Sequence, residues 1–454
     1  MPHPSSRRAL LAAAALALAT AIAPALRAEV TPPPLAIESH VLENGLEVVL
    51  APDTSRPVVN VQVWYRVGSK DERTGRTGFA HLFEHMMFRG SANVGPEEHM
   101  RLVREAGGVV NAYTSFDRTV YWQTVPSNHL ERVLWLEADR MASLVVNEEN
   151  FTKEREVVKE ERRLRVENPP YGMLAEWVLD ATFEVYPYKR LPIGSMADLN
   201  AATVADVKEF FDTFYVPDNA TLVIVGDFEP KSALSLVRTH FGRLARSRKT
   251  VPRVTAKEPD QSGRRELTKS DPNAPLPAVA SAFKLPPQGH ADSYPLQIAF
   301  DILSAGESSR LYRRLVYEEQ SAVAAQAQLL LLEGPSLGFL FGVANQGRDV
   351  NEVAASVRDV VDGLAKAPPS NEELEKARAT IVSRLVVGRQ TAQDKADAVG
   401  AAASLLRDPQ RYNTELARYQ AVTAADVQRV VREYLAESRE TRLFIQPGTA
   451  PAQK

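Results

Sequence analysis

The stretch Gly78-Phe79-Ala80-His81-Leu82-Phe83-Glu84-His85-Met86-Met87 holds two histidines and a glutamate in the pattern His-x-x-Glu-His. On a helix, which turns by about 100° per residue, His85 lies some 40° from His81, and Glu84 lies about 60° to the other side. Two imidazoles one turn apart can bind the same Zn²⁺, while a glutamate beside them reaches a bound water. The neighbouring side chains are mostly apolar, so the polar groups would be buried and need partners. The stretch therefore predicts a zinc site with His81 and His85 as ligands and Glu84 as the base.

A third ligand has to come from elsewhere, because a catalytic zinc site usually has three protein ligands and one open position. The segment from Asn150 to Arg162 offers Glu154, Glu156, Glu160 and Glu161. Spacing alone does not choose among them, since a helical glutamate most often faces solvent. Glu154 and Glu161 lie two turns apart, within about 20° of one another. One could bind the metal while the other orients a histidine.

The rest of the chain mixes strand and helix patterns. Asn44-Gly45 between apolar residues predicts a β-hairpin. Residues 59–65 alternate Val, Val, Val and Tyr with Asn, Gln and Trp, which predicts a strand with one face more buried than the other. Residues 78–89 and 128–167 have the composition of helices. These patterns predict an α+β fold.

One pattern occurs twice, 220 residues apart. Thr203-Val204-Ala205-Asp206-Val207 precedes the strand pattern 220–225, and Thr423-Ala424-Ala425-Asp426-Val427 precedes the strand pattern 441–445. Thr-x-x-Asp is a common helix cap, but the shared order of helix and strand predicts two homologous halves. We expect an N-terminal domain with the zinc site at 35–246, a polar, proline-containing linker at 247–277 and a homologous domain without a zinc site at 278–448. Each half is expected to be sandwich-like, a mostly antiparallel sheet covered by helices, and the two together form a half-shell.

The N-terminus predicts export. Arg7 and Arg8 precede an apolar run, and small residues follow, so residues 1–28 are typical of a signal peptide. We favour the Sec route over the twin-arginine route, and an uncleaved membrane anchor stays open as an alternative. The chain has no cysteine, which together with export indicates the bacterial periplasm. Removal of residues 1–28 moves the net charge from -3 to -6, which argues against nucleic-acid binding, and no stable membrane span is expected afterwards.

Further motifs give the chain a resemblance to the insulinase and pitrilysin family, including its bacterial and mitochondrial-processing-peptidase branch, over residues 38–448. The matching pieces are His-x-x-Glu-His itself, Glu154-Arg155-Glu156-Val157-Val158-Lys159-Glu160-Glu161, Phe88-Arg89-Gly90-Ser91, Asn111-Ala112-Tyr113-Thr114, Leu191-Pro192-Ile193-Gly194 and Ser308-Ser309-Arg310-Leu311-Tyr312. The resemblance implies that Glu161 is the third zinc ligand and that Glu154 is the supporting acid. It also implies one Zn²⁺ per chain.

The resemblance implies a zinc-dependent endopeptidase that hydrolyses unfolded peptides or small polypeptides in the periplasm. Substrates of such enzymes add a strand to a sheet edge, and Asn111, Ala112 and Tyr113 occupy the matching position here. Without the resemblance these three residues are equally consistent with an ordinary strand. The alternative function is a zinc-binding but catalytically silent scaffold or peptide-binding subunit, against which the intact motif argues.

One part of the family pattern is missing. Members of the family often carry an Arg and a Tyr seven residues apart in the second half, which bind substrate and stabilise the oxyanion. Alignment through residues 315–320 places Val316 and Val323 at these positions, and valine donates no hydrogen bond. In another register Tyr312 or Tyr317 serves instead. We therefore expect a second, homologous chain to supply the pair, and favour a heterodimer with a paralogue that lacks His-x-x-Glu-His over a homodimer.

Overall fold

Two β-sheets form the framework of the computed structural model, which describes residues 32–247 and 249–448. The six strands of the first sheet are β1 (Glu38–Val41), β2 (Glu47–Pro52), β3 (Val58–Tyr65), β4 (Val109–Thr114), β5 (Thr119–Pro126) and β6 (Ala220–Gly226). Their order in the sheet is β1-β2-β6-β3-β5-β4. Strands β2 and β6 are parallel and all other neighbours are antiparallel, so β4 is an edge strand that pairs only with β5.

Within the described residues 32–247, eight helices accompany the first sheet. They are α1 (Phe79–Met86), α2 (Glu98–Glu105), α3 (Leu130–Ser143), α4 (Glu148–Arg162), α5 (Leu174–Thr182), α6 (Met196–Ala201), α7 (Val204–Phe214) and α8 (Pro230–Phe241). The core on this side buries Val61, Val63 and Tyr65 of β3 against Phe83 of α1. This packing fixes α1 against the sheet, and α4 packs against α1.

The second sheet repeats the connectivity of the first. Its strands are β7 (Arg265–Asp271), β8 (Ala278–Leu285), β9 (Ala322–Leu330), β10 (Ser336–Ala344) and β11 (Thr441–Pro447), in the order β7-β11-β8-β10-β9. Only β7 and β11 are parallel. The helices of this half are α9 (Ser293–Ser304), α10 (Val350–Lys366), α11 (Asn371–Val387), α12 (Ala392–Ser404), α13 (Arg411–Gln420) and α14 (Ala424–Tyr434). Two mixed, mostly antiparallel sheets covered by helices confirm the predicted α+β class.

The repeated Thr-x-x-Asp pattern forms the same cap in both halves. Thr203 is the N-cap of α7 and Thr423 is the N-cap of α14, and each forms a capping box with the aspartate three residues later, Asp206 or Asp426. Strand β6 follows the first helix and lies parallel to β2, and β11 follows the second helix and lies parallel to β7. The repeat in the sequence is therefore a repeat in the structure.

The two halves exchange helices. Helix α5 of the first half packs on β8 and β11 of the second sheet, where its Leu174 and Val178 meet Leu443. Helix α12 of the second half packs on β3 and β6 of the first sheet, where Val399 meets Trp64. Each sheet is thus covered on one face by its own helices and on the other by a helix of the other half.

This exchange corrects the prediction for β3. The alternation predicted one face more buried than the other, but Asn60, Gln62 and Trp64 are as buried as the valines, at most 1% exposed. Helix α12 is the reason, because it covers this face, and Gln62 Nε2 donates to Asp397 Oδ1 of α12 at 2.9 Å. A polar face that is sealed by a distant segment has no local signature in the sequence.

The predicted linker contains a strand, since β7 lies within residues 247–277. Five of the seven residues of β7 are exposed, and its side chains are mainly polar, so no apolar alternation marked it in the sequence. The division at 35–246 and 278–448 stays a prediction. The predicted signal peptide at residues 1–28 lies outside the described residues. Among the helices within 32–247 and 249–448, none is long and apolar enough to cross a membrane.

Candidate metal centre

Helix α1 carries His81, Glu84 and His85, and its first turn is tightly held. The carboxylate of Glu72 accepts hydrogen bonds from the backbone N–H groups of Gly78 at 3.0 Å and Ala80 at 2.8 Å. Such bonds satisfy N–H groups that a helix start leaves without a partner. Gly194 lies directly against this turn, because a Cβ on it would approach the nitrogen of Gly78 to 2.3 Å. Glu72 and Gly194 therefore fix where the histidine-bearing helix begins.

Three side chains from α1 and α4 meet as a possible metal site. Oε2 of Glu161 lies 3.6 Å from Nε2 of His81 and 3.5 Å from Nε2 of His85. One ligand atom from each residue lies within 4.8 Å of the other two. Ligands at about 2.0–2.1 Å from a tetrahedral zinc ion lie about 3.4 Å apart, so the spacing and the N, N, O donor set fit Zn²⁺. The other three candidate glutamates, Glu154, Glu156 and Glu160, are not part of this cluster.

The electrostatics suit a metal as well. Burial, with the positive charges of His85 and Arg165, lowers the pKa of His81 to about 3, so this imidazole is neutral at pH 7. Neutral imidazole is the form that binds metals. Nδ1 of His81 is buried and no described residue accepts its hydrogen bond, while Nε2 faces Glu161. The site thus offers neutral nitrogen next to a carboxylate.

Glu154 lies behind His85 rather than in the cluster. Its Oε2 is 3.0 Å from Nδ1 of His85, and its Oε1 accepts from Nε of Arg89 at 2.6 Å, with a second contact to the same guanidinium. Burial would lower the pKa of His85, but the hydrogen bond and charge of Glu154, with Glu84 and Glu161, raise it. Arrangements of carboxylate, histidine and metal fix the tautomer of the imidazole. This is the geometry expected of the supporting acid.

Glu84 sits between the cluster and the first sheet. Its Oε2 accepts a hydrogen bond of 2.6 Å from Oγ1 of Thr114, the last residue of β4. Burial raises the pKa of Glu84, and the hydrogen bond from Thr114 opposes that effect. A carboxylate with a raised pKa beside a metal site has the properties of a general base.

Asn111, Ala112 and Tyr113 lie on the edge strand β4, whose outer side has no strand partner in the described chain. Asn111 is exposed, and its Oδ1 accepts from the backbone N–H of Ala112 at 2.9 Å. Because β4 ends at Thr114, the open edge leads directly to Glu84. An extended peptide added here would run toward the metal site.

The second half offers no free donor at the expected positions. Val316 packs against the core of the second half and Val323 lies on the edge strand β9. Of the nearby arginines, Arg310 forms two bonds with Glu373, and the other two, Arg313 and Arg314, pair with Glu318 and Glu319. Tyr317 is 75% exposed. The donor pair is therefore missing from these two positions, as the sequence predicts.

Several contacts at the site were not predicted as such. Thr114 belongs to the motif Asn111-Ala112-Tyr113-Thr114 and Arg89 to the motif Phe88-Arg89-Gly90-Ser91, but the sequence assigns neither residue a role. Glu72 lies six residues before Gly78, the N-cap of α1, whereas a capping signal lies at the N-cap or in the first turn, so no sequence signal marks its role. Arg165, in the π-helical turn that follows α4, contacts the other oxygen of Glu161 at 2.5 Å and has no such signal.

Comparison with known proteins gives consistent matches. A family model described as Insulinase (Peptidase family M16) matches residues 47–193, and one described as Peptidase M16 inactive domain matches residues 201–381. The zinc protease PqqE of Helicobacter pylori is 32% identical over 414 residues, which cover 90% of this chain and 93% of that protein. The crystal structure of a protease from Helicobacter pylori matches with a TM-score of 0.87 and 31% identity, over 91% of this chain and 100% of that one. The periplasmic protease PqqL from Escherichia coli matches with a TM-score of 0.73 and 21% identity, over 92% of this chain but 48% of that one.

Proposed function

This chain belongs to the insulinase family of zinc metallopeptidases, peptidase family M16, and on that premise we propose that His81, His85 and Glu161 hold a zinc ion and that Glu84 is the catalytic base. One observation carries the proposal. Three metal-binding atoms converge beside a glutamate of the same helix, and that glutamate contacts the end of an open sheet edge. Few other reactions require this combination.

The residues divide the chemistry among them. Zinc, when bound, is a Lewis acid that polarises the scissile carbonyl and makes water acidic. Glu84 takes a proton from the attacking water and returns it to the leaving amine nitrogen. Thr114 donates a hydrogen bond to the carboxylate of Glu84 and holds it in place. Glu154 accepts a hydrogen bond from the Nδ1–H of His85, which leaves Nε2 free as a ligand. The reaction is hydrolysis without a covalent bond to the protein.

The substrate is an extended peptide that pairs with β4. Backbone hydrogen bonds would hold it at Asn111, Ala112 and Tyr113, so its sequence matters little and its conformation matters much. Most strands of a folded protein are already paired, whereas the whole backbone of an unfolded peptide is available to this edge. We therefore propose an endopeptidase for unfolded peptides or small polypeptides.

The proposed compartment is the bacterial periplasm. The predicted signal peptide at residues 1–28 supports it, as does the absence of cysteine from the whole chain. Escherichia coli PqqL, which shares the fold, is described as a periplasmic protease. Sequencing the N-terminus of the protein from a periplasmic extract tests both the location and the cleavage.

A second homologous chain completes the enzyme in our proposal. Val316 and Val323 donate no hydrogen bonds, and three nearby arginines are engaged in ion pairs. PqqL has room for two units of this size in one chain, because this chain spans 48% of it. We favour a paralogue without His-x-x-Glu-His as the partner. Native mass measurement, with peptidase assays of this chain alone and with the paralogue, decides the point, since strong activity from a demonstrated monomer contradicts it.

The decisive experiment is cleavage of a fluorogenic peptide by the mature protein with its partner. We expect chelator to abolish cleavage, added Zn²⁺ to restore it, and Glu84→Gln to retain zinc but lose nearly all turnover. Glu156→Gln is the matched control, because Glu156 lies on α4, half-exposed and paired with Lys159. Full activity of Glu84→Gln would refute the assignment, and peptide binding without cleavage would favour the silent subunit.

A further inference from the structure

The segment Phe88-Arg89-Gly90-Ser91 follows α1 directly, and the reaction as described leaves it without a role. We propose that Arg89 is a positioning residue, whose guanidinium holds the Glu154 carboxylate in the orientation that His85 needs to bind metal. The inference rests on the proposed zinc site. Arg89 itself contacts neither substrate nor metal and acts through Glu154.

The two acids at the site share one arrangement. Each turns one carboxylate oxygen toward the histidines and gives the other to an arginine. Oε2 of Glu154 faces His85, while Oε1 accepts from Nε of Arg89 at 2.6 Å and also contacts Nη2. Oε2 of Glu161 faces both histidines, while Oε1 contacts Nη1 of Arg165 at 2.5 Å. A guanidinium held on one oxygen thus determines which oxygen is left for the histidines.

Burial separates the two arginines. The side chain of Glu154 is 4% exposed and that of Arg89 is 25% exposed, whereas Arg165 is 75% exposed. Water and salt screen an exposed ion pair, and such pairs contribute little. The Arg89 pair is shielded, and Nε and Nη2 both hold the same oxygen of Glu154, Oε1, so that Oε2 is left to face His85. We therefore assign the orienting effect to Arg89.

The backbone around Arg89 is anchored on three sides. Its N–H donates to the carbonyl of Met86 at the end of α1, and its carbonyl accepts from Nδ2 of Asn150 on α4 at 3.3 Å. Ser91, two residues later, donates to Oδ2 of Asp139 on α3 at 2.5 Å. Arg89 therefore stands at a fixed point between the helix that carries the histidines and the helix that carries the acids.

A third acid steadies the far end of the guanidinium. Nη1 of Arg89 donates to Oε1 of Glu97 at 2.8 Å. Glu97 has a φ of 61°, a left-handed conformation that non-glycine residues rarely adopt, and its N–H donates to the carbonyl of Phe88. Its side chain is 69% exposed, so this contact directs the guanidinium but adds little binding energy.

The test is the zinc dissociation constant, measured at pH 7.5 by competition with a chromophoric chelator, for the whole mature chain. Loss of partners behind a metal ligand typically costs about 10- to 100-fold in metal affinity. We expect about tenfold weaker binding for Arg89→Met and nearly as large a loss for Arg89→Lys, because lysine keeps the charge but not the planar fork. Glu154→Gln should lose at least as much. In the Glu154→Gln variant, the additional substitution Arg89→Met should weaken zinc binding by less than a further factor of about two, because Arg89 acts through Glu154.

Two arginine variants serve as controls. Arg101→Met removes an exposed arginine of α2 that pairs with Glu98 and Glu105, and should leave zinc affinity unchanged. Arg165→Met removes a cation beside the site but leaves the shielded contact between the Arg89 guanidinium and Glu154 intact. It should therefore weaken zinc binding less than Arg89→Met does. Thermal unfolding of the metal-free variants separates misfolding from lost affinity.

The outcomes are separable. If the wild-type chain binds no zinc, the proposed function fails. If the wild type binds zinc and folded Arg89→Met binds it as tightly or more tightly, the role of Arg89 is refuted and the proposed function stands. If Arg89→Lys binds like the wild type, charge rather than orientation is what Arg89 supplies, and the proposal is likewise overturned.

Discussion

Replacement of Thr114 by valine removes one hydrogen bond from the proposed base and changes little else. Thr114 Oγ1 donates to Glu84 Oε2 at 2.6 Å, and valine has nearly the same shape without the donor. A hydrogen bond to a charged group contributes about 1.5–3 kcal/mol, and one pKa unit corresponds to about 1.4 kcal/mol. Because the bond favours the ionised form, its loss should raise the pKa of Glu84 further, beyond the rise that burial already causes.

The measurable consequence is a shift in the pH profile. Glu84 acts as a base only when ionised, so kcat/KM rises as pH increases through its pKa. In Thr114→Val the acidic limb should lie about 1–2 pH units higher than in the wild type. Zinc content is measured at each pH, so that metal loss is not mistaken for protonation. Thr114→Ser keeps the hydroxyl and should retain the wild-type limb. Superimposable limbs for Thr114→Val and wild type would refute the role of Thr114 in setting the base.

Four further variants test other parts of the structure. Glu161→Gln should purify with little zinc by metal analysis, and a full complement of zinc would show that another group is the third ligand. Asn111→Ala should raise KM for extended peptides by about 2- to 10-fold without a matching change in kcat, because about one hydrogen bond to the substrate is lost. An unchanged KM would indicate that β4 is an ordinary strand. Gly400→Ala should destabilise the fold by about 1–3 kcal/mol in urea unfolding, because the new Cβ would lie 2.3 Å from the ring of Trp64. Gly363→Ala, which meets no atom within 4 Å on the exposed side of α10, should instead stabilise it by about 0.5–1 kcal/mol.

Features encoded by neighbouring residues could be predicted from the sequence. The capping boxes at Thr203 and Thr423 need only the residues within one turn, and the turn at Gly45 needs only a residue that accepts a φ of 88°. The exchange of helices could not be predicted in this way. The burial of Trp64 depends on α12, more than 300 residues away in the chain, and no local pattern records it.

The residues of the candidate site also fall into two groups, those that a local sequence pattern reveals and those that only the tertiary fold brings together. His81, Glu84 and His85 lie on one helix, so their spacing alone brings them to one face. Glu161 needed the family resemblance, because four glutamates on α4 had equal claims by spacing. The contacts of Glu72 and Thr114 arise from a loop and a strand that only the tertiary fold brings to α1. Their partners could not be inferred from distance along the chain.

The exchange of α5 and α12 bears on how such a chain can evolve. Within the described residues, the one cluster able to hold a metal lies in the first half, so the second half has no comparable chemistry to preserve. Deletion of the second half would nevertheless strip α12 from the back of the first sheet and expose Val223, Val225 and Trp64 to water. A second half of this kind could therefore lack metal ligands, but it could not lack helix α12 without exposing the first sheet. Residues 392–404 thus belong to the structural requirements of the half with the candidate metal centre, although they lie in the other half.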